Sequence, residues 1–577
     1  MITTEGFVYE RVDDIPLLLA LMIKMQMPFI LNKHLGNHGH QKGMTNGWVG
    51  TIWLAYILSE GKHSKVHVQE WVMKRQELLQ ALTGERIRAE DFTDDSLGLL
   101  LKRLSQAGVW PRIEDELWQG SLVVHQVQVA GVRLDSTTGY GYHQPEDEGI
   151  MQHGYSKDKR PDLAQLKLMV AVAEPSGVPI ASDAVAGERA DDLLYIPLVK
   201  RVRQILWGQR GLLYTGDSKM AALAIRANIV AHQDYYLTVL PRTGQTAQQW
   251  EEWLDAIIEG HQGATLIWRD GELLGGGYEF CRRLTVVDPE KAVPTSWPER
   301  VQLVRSQRQA KSETAQLEKR LQRAEAALAQ LTPPPARGHQ QYRQEATLQT
   351  AIDDLLARYQ VAGLLAVTWQ REETHTTRYV GRGRGGPNRP TRTDVKVRYV
   401  IHTVQRNVPA IQQQQRRLGW RAYVTNLPQA QWSLSDTVTH YRAGYCVERD
   451  FHLIKDRPLG LSPLYVHRDD QIIGLTRLLT IGLRLLTLIE TKARDTLQQT
   501  QTTLTGLYEG QPNRTTDRPT GLRLLRAFSR AEISRVGIQM SDGHWQWRLS
   551  PLPDLLIQIL TLLGVSEFVY FQLGNSP

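Results

Sequence analysis

The sequence predicts an α/β protein in which helices cover a mixed β-sheet, a large insertion interrupts that sheet, and helical regions flank it. Three observations lead to this prediction. Residues 121–241 alternate between strand and helix patterns, residues 242–420 depart from that alternation, and residues 421–428 return to a strand. A chain of 577 residues is also too long for one ordinary domain, so several domains are expected.

Residues 1–120 are predicted to be mostly helical. Apolar helices are expected over residues 15–30 and 47–58, and a third helix is expected to begin at the capping pair Asp94-Asp95, which leucines follow at helical spacing. We interpret this region as a separate helical N-terminal domain. The pattern alone leaves open whether it binds a partner or only packs against the rest of the chain.

Residues 121–241 are predicted to form the first part of the α/β core. The segment Pro175-Ser176-Gly177 lies between two apolar runs and predicts the turn of a hairpin. After this hairpin the pattern becomes helix, strand, helix and strand, which suits a mixed sheet with helices on its faces. Strands are expected at residues 127–135, 166–173, 179–185, 212–217 and 235–240.

Residues 242–420 are interpreted as an insertion. A long charged helix is expected from about residue 298 to residue 331, and its apolar residues step by four and three, which predicts an intramolecular helical hairpin. From Arg378 to Arg421 there are eleven Lys or Arg residues and one acid, Asp394. Such a segment attracts polyanions, although a solvated basic loop is the alternative. Arg382 and Arg384 lie in its glycine-rich part.

Residues 421–490 are predicted to complete the core, with one helix over about residues 435–455, and residues 491–577 form a C-terminal region. The most apolar stretch, residues 472–489, contains Arg477 and Arg484, which would be costly in lipid. We therefore expect a buried helix and no membrane span. Two cysteines and an acidic N-terminus without a basic leader favour a reducing compartment and no secretory signal.

Three widely separated acids form the candidate site: Asp135, Asp217 and Glu448. Each aspartate ends an apolar run that reads as a strand, and the glutamate lies in the predicted helix 435–455. Two strand-end aspartates and a helical glutamate can share two Mg²⁺ ions, for which Mn²⁺ can substitute. Two such ions about 3.5–4 Å apart can clamp the attacking and leaving oxygens of a phosphodiester. The alternative is that the aspartates cap turns.

The spacing of Tyr441, Glu448 and Lys455 adds to this hypothesis. They are seven residues apart, so one continuous helix would carry all three on one face. That face could present a carboxylate to metal and an ammonium group to phosphate, while Tyr441 stacks on a base or holds a phosphate. A surface ion pair between Glu448 and Lys455 is the alternative.

Several stretches resemble a DDE transposase of bacterial insertion sequences, in the insertion-sequence-four group that carries a Tyr-Arg-Glu-Lys signature. The resemblance covers most of residues 90–490. Tyr441, Glu448 and Lys455 match the signature, whereas Gly444 stands at its Arg position and the nearby Arg442 would point about 160° away on an ideal helix. The matching stretches are Leu134-Asp135-Ser-Thr-Thr, residues 153–165 with Gly154-Tyr-Ser-Lys-Asp, Gly216-Asp217-Ser-Lys-Met, Thr425-Asn426 and residues 441–455.

The resemblance implies a ribonuclease-H-like catalytic core with an insertion between the second aspartate and the glutamate. It implies an enzyme that binds the terminal inverted repeats of its mobile element, cleaves there and joins the freed 3′-OH ends to target DNA. The catalytic and metal-binding residues would be Asp135, Asp217 and Glu448. The expected DNA contacts are Tyr441, Lys455, Arg442, Arg160, Arg382 and Arg384.

The same resemblance implies double-stranded DNA as partner, a homodimer on that DNA, and a cytoplasmic, nucleoid-associated location without a membrane. The N-terminal domain is then expected to bind the DNA ends, and residues 491–577 to contribute to dimerisation or DNA contact. Two alternatives stay open at this point. One is a ribonuclease-H-like nuclease that cuts without joining, and the other is a catalytically inactive DNA-binding descendant, which Gly444 favours.

Overall fold

The structure, a computed structural model, describes residues 6–36, 43–260, 264–269, 271–382 and 385–574. The N-terminal region is largely helical, as predicted, but one helix over residues 15–30 is wrong. The first helix ends at Lys24, and Gln26 has a positive φ of 58° that redirects the chain before the next helix. The elements are β1 (Phe7–Arg11), α1 (Ile15–Lys24), α2 (Met27–Leu35), α3 (Asn46–Glu60), α4 (Val68–Met73), α5 (Gln76–Thr83), α6 (Asp94–Ser105) and α7 (Val109–His125).

The next region follows the predicted order of strand, hairpin, helix, strand, helix and strand. The turn at Pro175-Ser176-Gly177 joins two antiparallel strands, so the predicted hairpin is confirmed. Its strands are largely buried, because helices cover the sheet on both sides. The elements are β2 (Gly131–Gly141), β3 (Ala164–Glu174), β4 (Pro179–Ala186), α8 (Asp192–Ile205), β5 (Leu213–Gly216), α9 (Leu223–Ala231) and β6 (Tyr235–Leu240).

The predicted insertion, residues 242–420, is not one separate unit. Its first part contains α10 (Ala247–Glu259) and three strands, β7 (Thr265–Arg269), β8 (Glu272–Val287) and β9 (Pro294–Ser306). These strands pair with one another and extend the main sheet. The long helix therefore starts at Gln307 rather than near residue 298, because the residues before it belong to β9.

The second part of the insertion forms an arm with its own hydrophobic core. The elements of the arm are α11 (Gln307–Leu331), α12 (Glu345–Arg358), β10 (Leu365–Tyr379), β11 (Thr391–Arg406) and α13 (Val408–Arg416). Leu317, Leu321 and Leu328 of α11 are buried in a cluster with residues of α12 and the β10–β11 ribbon. The prediction that this apolar seam packs within the chain is confirmed. The basic segment is largely the β10–β11 ribbon instead of a loop.

The chain then returns to the sheet with β12 (Trp420–Thr425), which is followed by α14 (Leu434–Arg442) and α15 (Tyr445–Lys455). In the described residues the main sheet has nine strands in the order β4-β3-β2-β5-β6-β12-β9-β8-β7. The pairs β2–β5 and β5–β6 are parallel, and the remaining pairs are antiparallel. The predicted mixed sheet with helices is therefore present.

Helix α16 (Asp469–Thr500) crosses the interior of the protein. It is long and apolar enough to cross a membrane, but 89% of its most apolar window is buried inside the protein. Helices α1 and α2 reach that length and apolar character only if the bent pair is counted as one span. Arg484 is buried and donates to the carbonyl of Ile180 at 3.3 Å. The prediction of a buried helix is confirmed.

The C-terminal region is partly strands and not only helices. It consists of β13 (Leu504–Thr505), β14 (Thr515–Thr516), α17 (Gly521–Ala531), β15 (Ser534–Gln539), β16 (Trp545–Leu549), α18 (Asp554–Leu563) and α19 (Phe568–Phe571). Strand β15 pairs with β1, and Arg535 binds the buried Glu10 at 2.7 Å. The two ends of the chain therefore share a small sheet, and residues 1–120 do not stand apart from residues 491–577.

Candidate active site

The two aspartates lie at the same level of the sheet, on neighbouring parallel strands. The parallel pairing of β2 with β5 ends where Leu134 lies opposite Gly216, and Asp135 and Asp217 directly follow this pair. The sequence suggested that Asp135 ends its strand, but β2 continues to Gly141. Its carboxylate reaches the open edge because β5, its neighbour, stops there.

Asp135 is largely enclosed and is held by its own neighbours. Its Oδ1 accepts from the Ser136 backbone N–H at 2.7 Å and lies 3.4 Å from Lys157 Nζ. Burial raises the pKa of Asp135, Lys157 opposes that rise, and the nearby Asp217 adds to it. Burial is the main cause of the raised pKa, and the like charge of Asp217 is a smaller contribution that a cation at this edge would offset.

Asp217 is fixed by a tyrosine from the adjacent helix. Its Oδ1 accepts from Tyr195 Oη at 2.7 Å and from the Lys219 backbone N–H at 2.9 Å. Tyr195 lies on α8 and is fully buried, and its pKa is raised by burial and by the charges of Asp217 and Asp135. Tyr195 therefore stays a neutral donor that orients Asp217.

Glu448 lies on α15, and its side chain is exposed. Within the described residues it makes no hydrogen bond or ion pair. It nevertheless lines the same cavity as Asp135 and Asp217, and this cavity has a volume of about 350 Å³. The structure thus brings the three predicted carboxylates to one cavity, which we call the carboxylate cavity.

The predicted single helix over residues 435–455 is wrong, because the chain breaks at Ala443-Gly444 into α14 and α15. Tyr441 and Glu448 therefore do not share a helical face, although both line the carboxylate cavity. Arg442 is the last residue of α14 and also lines the carboxylate cavity. Its direction relative to Gly444 is not the one that a continuous helix would impose. The half-buried Tyr441 packs edge-on against Tyr423 with ring centroids 5.1 Å apart, and burial raises its pKa.

Gly444 is explained by an arginine from the sheet. A Cβ at residue 444 would lie 2.5 Å from Nη1 of Arg133, so any side chain there would displace this guanidinium group. Arg133 also lines the carboxylate cavity. The position at which the resemblance expects an arginine therefore faces an arginine from β2, two residues before Asp135.

Arg133 ties the break between α14 and α15 to the sheet. Its Nη2 donates to the carbonyl of His440 at 3.1 Å, and its Nε donates to Glu174 Oε1 at 2.7 Å. Glu174 Oε2 lies 3.0 Å from His440 Nε2. Burial alone would raise the pKa of Glu174, but His440 and Arg133 outweigh it and the pKa is lowered. Glu174 is therefore a carboxylate that neutralises Arg133.

Helix α15 is anchored on its other side to α16. Arg449 donates to Glu490 Oε1 at 2.5 Å and to Asp450 Oδ1 at 2.9 Å. Both acids are almost completely buried. The backbone that carries Glu448 is thus fixed between the sheet and α16, while the Glu448 carboxylate itself is free to take a ligand.

Two other predicted DNA contacts, Lys455 and Arg160, do not line this cavity. Lys455 Nζ lies 2.6 Å from Asp158 Oδ1, and Arg160 pairs with Asp162 at 2.7 Å and packs over Tyr140. Arg382 is exposed near the tip of the β10–β11 ribbon, and Arg384 lies outside the described residues. Of the predicted basic contacts in the described residues, Arg442 lines the cavity, whereas Lys455, Arg160 and Arg382 do not.

Sequence reasoning missed several residues that shape the site. Lys157 belongs to the matched segment 153–165, so the family resemblance could have suggested it. Tyr195 is in the apolar stripe of α8, and nothing in the sequence distinguishes it from a core tyrosine. Asp191, directly before α8, accepts from Ser136 Oγ at 3.0 Å and pairs with Lys167. Arg133 carries no sequence signal of its own, and Arg421 was predicted only as the last residue of the basic segment.

The carboxylate cavity offers the oxygen ligands that Mg²⁺ and Mn²⁺ prefer. Asp135 and Asp217 each use Oδ1 for hydrogen bonds, and no donor to either Oδ2 is found among the described residues. With Glu448, this leaves three carboxylates that can turn a free oxygen toward one point. As their side chains stand, no three His, Cys, Asp or Glu side chains within the described ranges form a ready metal-binding cluster. The donor chemistry of these three carboxylates fits a divalent ion.

Comparison with known proteins gives little beyond this geometry. No protein-family model matches the chain, and no curated protein sequence matches it. Among solved structures, the chain is similar to piggyBac transposase in a synaptic complex with hairpin DNA, at 11% identity and a TM-score of 0.26. The match covers 53% of this chain and 61% of that chain, so it spans less than two thirds of the transposase. A similarity at this level carries no argument about function.

Proposed function

We propose that this protein is a DDE-type DNA transposase that cleaves at the ends of its mobile element and joins the 3′-OH ends to target DNA. The observation that carries the proposal is that Asp135, Asp217 and Glu448, which are far apart in the sequence, line one cavity. Arg421 and Arg442 line the same cavity, so it combines ligands for divalent ions with cations that suit a phosphodiester. A ribonuclease-H-like topology of the core is part of the proposal.

Asp135, Asp217 and Glu448 would hold two divalent ions, Mg²⁺ or Mn²⁺. Bound there, such ions supply an activated water or 3′ hydroxyl as the attacking group and neutralise the leaving oxygen. The protein would contribute neither a covalent nucleophile nor an ATP site to this chemistry.

The remaining residues of the cavity position these groups. Tyr195 and the Lys219 backbone N–H orient Asp217, and Lys157 with the Ser136 N–H orients Asp135. Arg133 holds the end of α14, directly before the glutamate helix, at its place on the sheet. Arg442 and Arg421 would bind the phosphate oxygens that flank the scissile bond, since guanidinium groups match phosphate geometry.

The partner in this proposal is double-stranded DNA, which a homodimer would hold with two ends together in the nucleoid-associated cytoplasm. The β10–β11 ribbon would add phosphate contacts that do not depend on sequence, because it extends basic side chains such as Arg392, which is 79% exposed. Recognition of the DNA ends would fall to the N-terminal helices. Deleting residues 1–110 is a poor test of this, because the deletion removes β1 from its sheet with β15 and α6 from its contact with α16.

The proposal is tested by incubating the purified protein with supercoiled plasmid and Mg²⁺ or Mn²⁺, and then with duplexes that carry pre-cut 3′-OH ends. We expect nicking that requires the divalent ion, and joining of the pre-cut ends to the plasmid. Nicking without joining would identify a nuclease of similar chemistry. Absence of both activities, with intact DNA binding, would identify an inactive DNA-binding protein and overturn the proposal.

A further inference from the structure

A second cavity of about 750 Å³ lies beside the carboxylate cavity, and we call it the arginine cleft. Its walls come from the first residues of β8, the first turns of α11, and the residues Arg421 on β12 and Arg442 on α14. Arg421 and Arg442 line both cavities. The cleft is therefore continuous with the place where the three carboxylates meet.

The arginine cleft carries cations that the protein itself does not neutralise. Arg308 and Lys311, both exposed on α11, line it together with Arg421 and Arg442. Within the described residues, none of the four lies within 4 Å of a carboxylate oxygen, and the acid that lines the cleft there is Glu272.

Two arginines on β8 and β9 differ from these four cations because they are paired with acids. Arg300 on β9 pairs with Glu279 at 2.8 Å, and Arg282 on β8 pairs with Glu299 at 2.6 Å. These two arginines are thus neutralised within the protein, whereas the four cations that line the cleft are not. A row of unpaired cations raises the local potential and favours an anion from outside the chain.

We propose that the arginine cleft binds the phosphodiester backbone of the DNA segment that flanks the scissile phosphate, with Arg308 and Lys311 as its outer contacts. This inference rests on the proposed function, because it places the scissile phosphate in the carboxylate cavity. Arg421 and Arg442 contact the backbone where it leaves that cavity, and the next phosphates follow toward α11.

A repeating polyanion suits this surface better than a single small anion. The four cations belong to three separate elements and line two connected cavities, so one phosphate group cannot satisfy them together. Successive phosphates of a nucleic acid strand can, and each contact releases condensed counterions. Binding through the cleft is therefore expected to weaken steeply as the salt concentration rises.

The test compares two double variants of α11 that each remove two positive charges. Arg308→Ala/Lys311→Ala empties the outer cleft, whereas Lys319→Ala/Arg323→Ala lies further along the same helix and does not line the cleft. Binding of a fluorescently labelled DNA duplex is measured by anisotropy at several NaCl concentrations. All four residues are exposed, and glutamine versions of both variants serve as a second pair if an alanine version does not fold.

For the cleft variant we expect about tenfold weaker binding at moderate salt. The slope of log K against log salt is negative, and its magnitude should decrease by nearly two, since each phosphate contact contributes about 0.9. The control variant should retain a slope close to that of the wild type. Equal slopes and affinities for the two variants would overturn the cleft. This outcome is independent of catalysis: a wild type that binds through the cleft yet never nicks plasmid would sink the proposed function alone.

Discussion

Asp135 and Asp217 are carried by neighbouring strands of the sheet, whereas Glu448 is carried by a short helix outside it. The aspartates are held by hydrogen bonds from Ser136, Lys219 and Tyr195. Glu448 has no such partner in the described part of the chain, and only its helix is anchored. The comparison indicates that one half of the cavity is preformed and that the other half is positioned through its backbone, so the two halves should respond differently to substitution.

The largest effect is expected in the aspartate half. Asp135→Asn should lower the nicking rate by about three decades or more, on the order of 4 kcal/mol, because it removes a charged ligand from the cavity. The neighbouring Asp191→Asn is the control, since Asp191 binds Ser136 and Lys167 but does not line the cavity. The measurement is the nicking rate per folded molecule of each variant. A wild-type rate for Asp135→Asn would refute the role of Asp135 as a metal ligand.

The next effect concerns the stability of the glutamate half. Arg449→Met should lower the free energy of unfolding by roughly 3 kcal/mol, because it leaves the buried Asp450 and Glu490 with less compensating charge. The exposed Arg457→Met, just beyond α15, should change stability little. Urea denaturation measures both. Equal stabilities would mean that α16 does not anchor the glutamate helix.

A smaller effect is expected at the contact between the two halves. Gly444→Arg should reduce nicking about tenfold, because the new side chain displaces the Arg133 guanidinium. Arg133→Ala should reduce the nicking rate by a similar factor, because the break between α14 and α15 loses its tie to β2. The double variant places an arginine on the helix in the vacated space and should recover most of the activity.

This double-mutant cycle distinguishes positioning from general destabilisation. If Arg133 acts only by stabilising the fold, the two losses should add in the double variant. Recovery should instead appear in the nicking rate at saturating DNA. Additive losses would show that Arg133 and residue 444 do not share one space.

The smallest effect is expected for Lys455→Ala. Lys455 pairs with Asp158 and does not line the carboxylate cavity, so DNA affinity and nicking should change by no more than about threefold, as expected for a partly exposed ion pair. Asp158→Ala should produce the same small change. A loss of DNA binding above about tenfold for Lys455→Ala, with Asp158→Ala unaffected, would return Lys455 to the group of DNA contacts that its spacing suggested.

Much of the central sheet could be predicted because local patterns determine it. The hairpin at Pro175-Ser176-Gly177, the strand that contains Asp135 and the strand that ends before Asp217 follow from turn residues and apolar runs. The grouping of Asp135, Asp217 and Glu448 was predicted from two aspartates at the ends of apolar runs and a glutamate in a predicted helix, and the family resemblance supported it. The role of the extended strand after Asp135 was missed because Ser136-Thr137-Thr138 can continue a strand or form a turn.

The rest depends on contacts between distant segments. A helical pattern runs through residues 435–455, but Arg133 from β2 occupies the space at Gly444 and the chain breaks there. Strands β7 to β9 looked like part of an insertion because the sequence does not reveal which strand edge they join. The pairing of β1 with β15 links the two ends of the chain, and no periodicity could predict it.

The central claim is that residues 135, 217 and 448 bind divalent ions together, and Mn²⁺ titration followed by the electron paramagnetic resonance of the free ion tests it most directly. The account predicts binding by the wild type that weakens at least about tenfold in each of Asp135→Asn, Asp217→Asn and Glu448→Gln, as loss of a charged ligand requires. Mn²⁺ binding that is unchanged in all three variants would contradict it.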